Sequence, residues 1–389
     1  MIPGARVAAA IDILDDVLSG TAAEKALTGW ARRSRFAGSK DRAAVRDHVF
    51  DALRNMRHYA HVGCGTWPAT GRDIMIGAMR CLDVDTATIF SGIGHAPSAL
   101  EGTECETFEA GPLDLWNLPD DGVALFKEQL GQDAETHARS LSERAPITIR
   151  VHAARTDRVS VQTMLAADGF ETRLNPLSDT ALTLTGKTRG LVSHPAYIDG
   201  LFEMQDAGSQ ALVDQLTLSD TDDVLDYCAG GGGKSLAIAA RFGCAVTAHD
   251  TNFGRMKDIP DRADRADARL RVLPENYDFN ERRFECVLLD APCSGSGSWR
   301  RTPDAKWRFS QSDLDTLCQV QSDILDKTHT LVAPNGTLVY ATCSVFPAEN
   351  NAQIDQFIAR NPQWTCTAMS SWPVSTDGDG FFMAQLQRQ

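Results

Sequence analysis

Apolar residues recur at helical spacing through the first third of the chain. "ARVAAAIDILDDVLSG" and "DRAAVRDHVFDALRNMRHYA" each carry one apolar stripe, which predicts amphipathic helices, with Asp41 as a cap for the second. Between about 112 and 145, "PLDLWNLPDDGVALFKEQLG" and "ETHARSLSER" read as a linker and more helix. From 146 to 192 the period shortens. "ITIRVHA", a helix "VSVQTMLAADGF" and "TALTLTG" outline a small α/β module of the size of an RNA-recognition fold. From about 196, "DVLDYC", "AVTAHD", "RLRVLP", "FECVLLD", "GTLVYAT" and a closing "GFFMAQLQ" alternate with helical stretches. Such alternation predicts a Rossmann-like, doubly wound parallel sheet with its ligand at the carboxyl ends of the strands. The expected domains are a helical one over 1–125, linker helices and the α/β module over 126–195, and an α/β catalytic domain over 196–389.

The segment "DYCAGGGGKS", from Asp226 to Ser235, joins a strand to a helix. A phosphate-binding P-loop needs a glycine where this chain has Cys228, so a triphosphate site is disfavoured. Glycines here let a ligand approach the backbone, and the helix N-terminus offers free N–H groups. Asp250 ends the next strand, about twenty residues on, where a carboxylate suits ribose hydroxyls. Taken alone, this supports a dinucleotide and S-adenosylmethionine equally.

Charge divides unevenly. The whole chain of 389 residues carries −14, which argues against a general nucleic-acid coat. Residues 21–60 nevertheless hold nine Lys/Arg against four acids. A second basic knot, "SWRRTPDAKWRFS", adds Arg300, Arg301, Lys306 and Arg308 against Asp304. Two local patches on an acidic protein suit selective RNA contact, with Arg300, Arg301 and Lys306 expected on phosphates. The ten cysteines form no C-x-x-C pair and have no metal-ligand spacing with histidine. No run of eighteen apolar residues occurs, and the opening stretch carries acids too early for a signal peptide. The expectation is a cytoplasmic monomer with no membrane contact.

Two strands end in turns bearing thiols. "VLLDAPCSGSG" supplies Asp290, Pro292 and Cys293; "LVYATCSVFPAEN" supplies Cys343. Two thiols, a carboxylate and a nucleoside cofactor suggest methylation of pyrimidine carbon 5. A thiolate adding to carbon 6 makes carbon 5 nucleophilic toward a sulfonium methyl, and Asp290 would stabilise or protonate ring nitrogen 3.

"VLLDAPCSGSGSWRRTPDAKW" and "YATCSVFPAENNAQIDQF" closely resemble the two signature segments of the Nop/Sun family of RNA cytosine-5 methyltransferases. "GLFEMQDAGSQ", "VLDYCAGGGGKS" and "DGFFMAQLQR" match further family segments, and "SKDRAAVRDHVFDALRN" resembles the NusB-like domain of the bacterial Sun-type enzymes acting on small-subunit ribosomal RNA. The resemblance implies a methyltransferase sheet preceded by an all-α NusB-like domain. It implies Cys343 as nucleophile, Cys293 as the residue assisting product release, and Asp290 beside cofactor and base. The loop of Cys228, Ala229, Gly230, Gly231, Gly232, Gly233 and Lys234 would hold the methionine part of S-adenosylmethionine, and Asp250 the ribose. Glu275, with Asn276 next, is the candidate for the adenine contact. Three departures stand out. The usual loop reads C-A-A-P-G-G-K, and Gly230-Gly231 here replaces Ala-Pro, which loosens the unbound loop. His152 stands where the family has asparagine, and no clear acid follows the third strand. Transfer RNA as substrate and a nonenzymatic RNA-binding assembly factor are the alternatives; the second requires one of Cys293, Cys343, Asp250 or Asp290 to be missing, and all four are present.

Overall fold

A computed structural model of the protein describes residues 1–280 and 282–389, which fall into two compact units. Met1–Arg144 and Trp299–Ser310 form the first; Ala145–Ser298 and Gln311–Gln389 form the second. Among the described residues, no helix is long and apolar enough to cross a membrane.

The first unit is helical. Helices Pro3–Leu18, Ala23–Arg33, Ser39–Arg54, Met56–Cys64 and Gly71–Cys81 turn their apolar stripes onto a shared core that includes Ile13, Leu14, Trp30, Val49, Leu53 and Ile74. A Cβ on Gly77 would lie 1.8 Å from the Tyr59 carbonyl oxygen, so only glycine permits that helix crossing. The stretch read as one long helix breaks at Asn55. Gly38 takes the cap position expected for Asp41, whose carboxylate instead accepts from Arg6 Nε at 3.0 Å.

The basic knot belongs to this unit, and its burial corrects the expectation for two cations. Arg300 and Lys306 are each 1% exposed. Lys306 Nζ donates to the Arg54 carbonyl at 2.8 Å, Trp307 Nε1 donates to the Leu53 carbonyl at 2.8 Å, and Asp304 accepts from the Ala23 amide at 3.2 Å. Burial drives the Lys306 ammonium down to about 7, with Arg54 adding repulsion. Lys306 and Arg300 are packing groups, not phosphate contacts. Arg301 is exposed, as are Lys25, Arg32, Arg35 and Lys40.

The second unit holds two sheets. The smaller consists of β1 (Thr148–Val151), β2 (Thr172–Leu174), β3 (Ala181–Leu184) and β4 (Phe202–Met204), antiparallel in the order β2-β3-β1-β4. Helix Arg158–Ala167 covers it through Val161 and Leu165, packed with Ile149, Leu182 and Phe202. β4 lies beyond the boundary expected at 195, yet it completes this sheet by pairing with β1.

The larger sheet contains β5 (Asp223–Asp226), β6 (Ala245–Ala248), β7 (Leu270–Val272), β8 (Phe284–Asp290), β9 (Val332–Thr342), β10 (Trp364–Trp372) and β11 (Phe381–Arg388). Its order is β10-β11-β9-β8-β5-β6-β7. β5 to β9 are mutually parallel, whereas β11 runs antiparallel to β9 and β10. Buried on both faces, the central strands read as continuous apolar runs such as Val287-Leu288-Leu289. The order reverses at β5, between β6 and β8, and opens a crevice at the strands' carboxyl ends.

Candidate active site

Three turns meet at that crevice. The first leaves β5 at Asp226 and enters helix Gly233–Phe242 through the glycine run. Gly230 and Gly232 adopt left-handed φ of 54° and 76°, conformations that a side chain would strain. Asp226 is buried beneath the loop and accepts from Ser235 Oγ at 2.6 Å. Its other oxygen has no hydrogen-bond partner among the described residues. Burial pushes its carboxyl up to about 7 despite the serine.

Asp250 follows β6 and holds this loop. Its carboxylate accepts the Gly230 amide at 2.9 Å and the Asn252 amide at 2.8 Å, and pairs with Arg255 at 3.2 Å. Lys234, the last loop residue of the motif, is buried and reaches Asp290 at the end of β8, Nζ to Oδ2 2.7 Å. Burial opposes the ammonium, but the Asp290 carboxylate outweighs it and raises the lysine. The cation that a P-loop would offer to phosphate is therefore neutralised from within.

The other two turns leave β8 and β9. Register pairs Asp290 with Ala341, so Cys343 stands two residues beyond that pair and meets Cys293 across the gap. The two sulfurs are 3.5 Å apart. Hydrogen bonding from the Cys293 thiol holds Cys343 below the usual thiol range against the effect of burial. Lys234 and the Ser298 hydroxyl help, and Asp290 opposes. The same bond, with burial, pushes Cys293 up. Of the two, Cys343 is the thiol shifted toward the thiolate form and Cys293 the one shifted away from it.

Glu349 fixes both turns, a role that the residue pattern alone did not bring out. Fully buried, its carboxylate accepts from the Ser294 amide at 2.8 Å, the Ser294 hydroxyl, the Ser344 hydroxyl and Gln321 Nε2 at 2.9 Å. Ser294 adjoins Cys293 and Ser344 adjoins Cys343, so one buried anion ties the residues beside each thiol. An acid directly after the apolar run "VFPA" was the available signal.

Of the expected site residues, the structure gathers Gly230 and Asp250 into one cluster, to which Arg255 is an addition, and Lys234, Asp290, Cys293 and Cys343 into another. Cys228 and Ala229 lie on the path from β5 into the loop; Ala229 donates to the His249 carbonyl at 2.9 Å, and burial raises the Cys228 thiol. Glu275 and Asn276 instead wall an open cavity of about 670 Å³ with Tyr227, His249, Tyr277 and Phe279; no residue of the glycine run, Asp250 or Asp290 is among those walls. His152, at the family's asparagine position, faces Ala266, with Nε2 2.9 Å from its carbonyl oxygen.

Residues 213–387 match the family model described as 16S rRNA methyltransferase RsmB/F, and residues 122–189 match the ferredoxin-like domain of the same family. The chain belongs to the RsmB/F family. It is 34% identical to ribosomal RNA small subunit methyltransferase B of Cronobacter sakazakii over 63% of this chain and 60% of that protein. With the protein of the same name from Vibrio vulnificus it shares 32% identity over 69% of this chain and 66% of that one. The matches thus span under two thirds of these relatives' length. The solved structure of PH0851 shares the fold across 100% of this chain and 99% of its own, with a TM-score of 0.78 at 21% identity. A methyltransferase homolog protein from Pyrococcus horikoshii covers 68% of this chain and 94% of its own, with a TM-score of 0.60 at 23% identity.

Proposed function

We propose that this RsmB/F-family chain methylates carbon 5 of a cytosine in small-subunit ribosomal RNA, using S-adenosylmethionine and a covalent adduct on Cys343. The observation that carries the reading is the thiol pair, 3.5 Å apart beside the Lys234–Asp290 ion pair and facing the glycine loop's end of the sheet. The family and the names of its relatives support ribosomal RNA as the substrate class.

The site fits a nucleoside methyl donor. The glycine run offers backbone at the head of a helix through exposed Gly231 and half-buried Gly233, and the Asp250 carboxylate would take the ribose diol. The residues from Cys228 to Lys234 would hold the methionine part, and Asp290 would border donor and base. When bound, S-adenosylmethionine supplies an electrophilic methyl group. The chain's own part begins with Cys343, whose sulfur adds to carbon 6 and moves an electron pair onto carbon 5. Asp290, in its protonated form, donates to ring nitrogen 3 and so meets the negative charge that builds on the ring. After methyl transfer, a base removes the carbon 5 proton, the carbon 5–carbon 6 double bond reforms, and the bond from carbon 6 to Cys343 breaks. The Cys293 thiol, 3.5 Å from the Cys343 sulfur, then donates a hydrogen bond to the departing thiolate, which favours release.

The test is incubation of the purified protein with undermodified small-subunit ribosomal RNA, and separately with transfer RNA, in the presence of labelled S-adenosylmethionine. Nucleoside mass spectrometry should find 5-methylcytidine in the ribosomal RNA. Methyl groups on another atom, or in transfer RNA alone, would overturn the reading.

A further inference from the structure

The glycine run has no proline to stiffen it, yet its backbone is gripped from outside. Arg262, on helix Ile259–Ala266, donates from Nη1 to the Gly231 carbonyl oxygen. Its guanidinium is itself fixed, because Nε and Nη2 bind Glu203 Oε2 at 3.2 and 3.0 Å. Arg265 pairs with the other oxygen of Glu203, whose side chain is 5% exposed. Glu203 lies on β4 of the small sheet. Just past the end of that strand, Gln205 donates to the Gly233 carbonyl at 3.2 Å and is held by Arg150 Nε at 2.6 Å.

We infer that Glu203 and Arg262 form a clamp that does for Gly230-Gly231 what Ala-Pro does in the usual form of the loop: they hold the backbone in its ligand-ready shape before the donor arrives. Three features support this. Four consecutive glycines lose more conformational freedom on ordering than any other run of that length, so an unheld loop would bind its ligand weakly. The grip is made on carbonyl oxygens, which a glycine offers as well as any residue. Finally, helix Ile259–Ala266 and the turn before it close around the loop at successive positions. A Cβ at Gly230 would meet Arg255 Nη2 at 2.9 Å, and one at Gly232 would meet Ile259 Cγ1 at 2.8 Å. At Gly231 the nearest atom is Arg262 Nη1 at 3.6 Å, and φ there is not left-handed. Gly231 is therefore a position in the run where a Cβ fits beside the arginine and the backbone does not bar a proline. Arg262 and Glu203 are positioning residues, and the ferredoxin-like module becomes part of the donor site through β4.

This rests on reading the run as the methyl-donor loop, so the test has one arm that needs no donor. Four full-length proteins are compared: wild type, Arg262→Met, Gly231→Pro and the double variant. Amide hydrogen exchange of Gly230 and Gly232 without ligand should quicken about tenfold in Arg262→Met, in line with loss of a charge-assisted bond. Calorimetric affinity for S-adenosylmethionine should fall by a similar factor. In the Gly231→Pro background the same arginine change should cost less than about threefold in both readouts, since the proline already restricts the loop. Exchange unchanged in Arg262→Met, or a loss of equal size with and without the proline, overturns the clamp and leaves a plain tie between module and sheet. If Arg262→Met does not fold, Glu203→Gln replaces it: faster loop exchange supports the clamp and unchanged exchange overturns it. A wild type that binds no S-adenosylmethionine would sink the functional reading while the exchange arm still decides the clamp.

Discussion

Replacing Lys234 with methionine removes one charge from the centre of the site and leaves the shape nearly intact. In the native protein its ammonium is 2.7 Å from Asp290, with side-chain exposures of 8% and 32%. Breaking a fully buried ion pair by deleting one partner costs about 3–5 kcal/mol, because the remaining charge is stranded. Water reaches a third of Asp290 and screens part of that cost, so the expected loss is about 2–3 kcal/mol. Urea denaturation followed by tryptophan fluorescence measures it. Adding Asp290→Asn should recover at least half of the loss, since no anion is then left alone. A second readout follows from the same geometry. Lys234 lowers the Cys343 thiol and Asp290 raises it, so alkylation of Cys343 by iodoacetamide should need a higher pH in Lys234→Met than in wild type. A loss below about 0.5 kcal/mol together with an unchanged alkylation midpoint would refute the claim that this pair organises the site.

Three further outcomes follow. Asp250→Ala should weaken S-adenosylmethionine binding by about 1–3 kcal/mol, read by calorimetry; equal affinity would remove Asp250 from the donor site. Replacing exposed Arg32 and Arg35 with alanine should flatten the dependence of log affinity on log salt for RNA by about 0.7 for each phosphate that is no longer neutralised, whereas Lys306→Met should leave that slope alone; the reverse pattern would return the buried knot to the RNA interface. Cys293→Ala should shift the pH midpoint of Cys343 alkylation upward. The sign follows from the bond: a donor to the thiolate favours the charged form, so it extends thiolate to lower pH, and removing it confines thiolate to higher pH. A downward shift would reverse donor and acceptor.

The strand, glycine run and helix were legible because each is written in contiguous residues with a distinct period. The cysteine turns were legible for the same reason, as each follows a seven- or eleven-residue strand of the larger sheet. What one sequence hides is which distant groups meet. "SWRRTPDAKW" reads as an RNA patch because four cations and two tryptophans stand together in and beside it, and nothing local reveals that backbone carbonyls of Leu53 and Arg54 receive Trp307 and Lys306. β4 is only three residues long, too short for its period to claim it for the small sheet. Glu349 and Arg262 looked like ordinary charges because their partners are 55 and 31 residues away.

The most direct test of the account is to trap the enzyme on its substrate. Cys293→Ala and Cys343→Ala are each mixed with small-subunit ribosomal RNA and S-adenosylmethionine, then run on a denaturing gel. If Cys343 attacks and Cys293 assists release, Cys293→Ala should accumulate a thioether-linked protein–RNA band, and Cys343→Ala and the double variant should show none. A stable adduct in Cys343→Ala but not in Cys293→Ala would contradict the assignment.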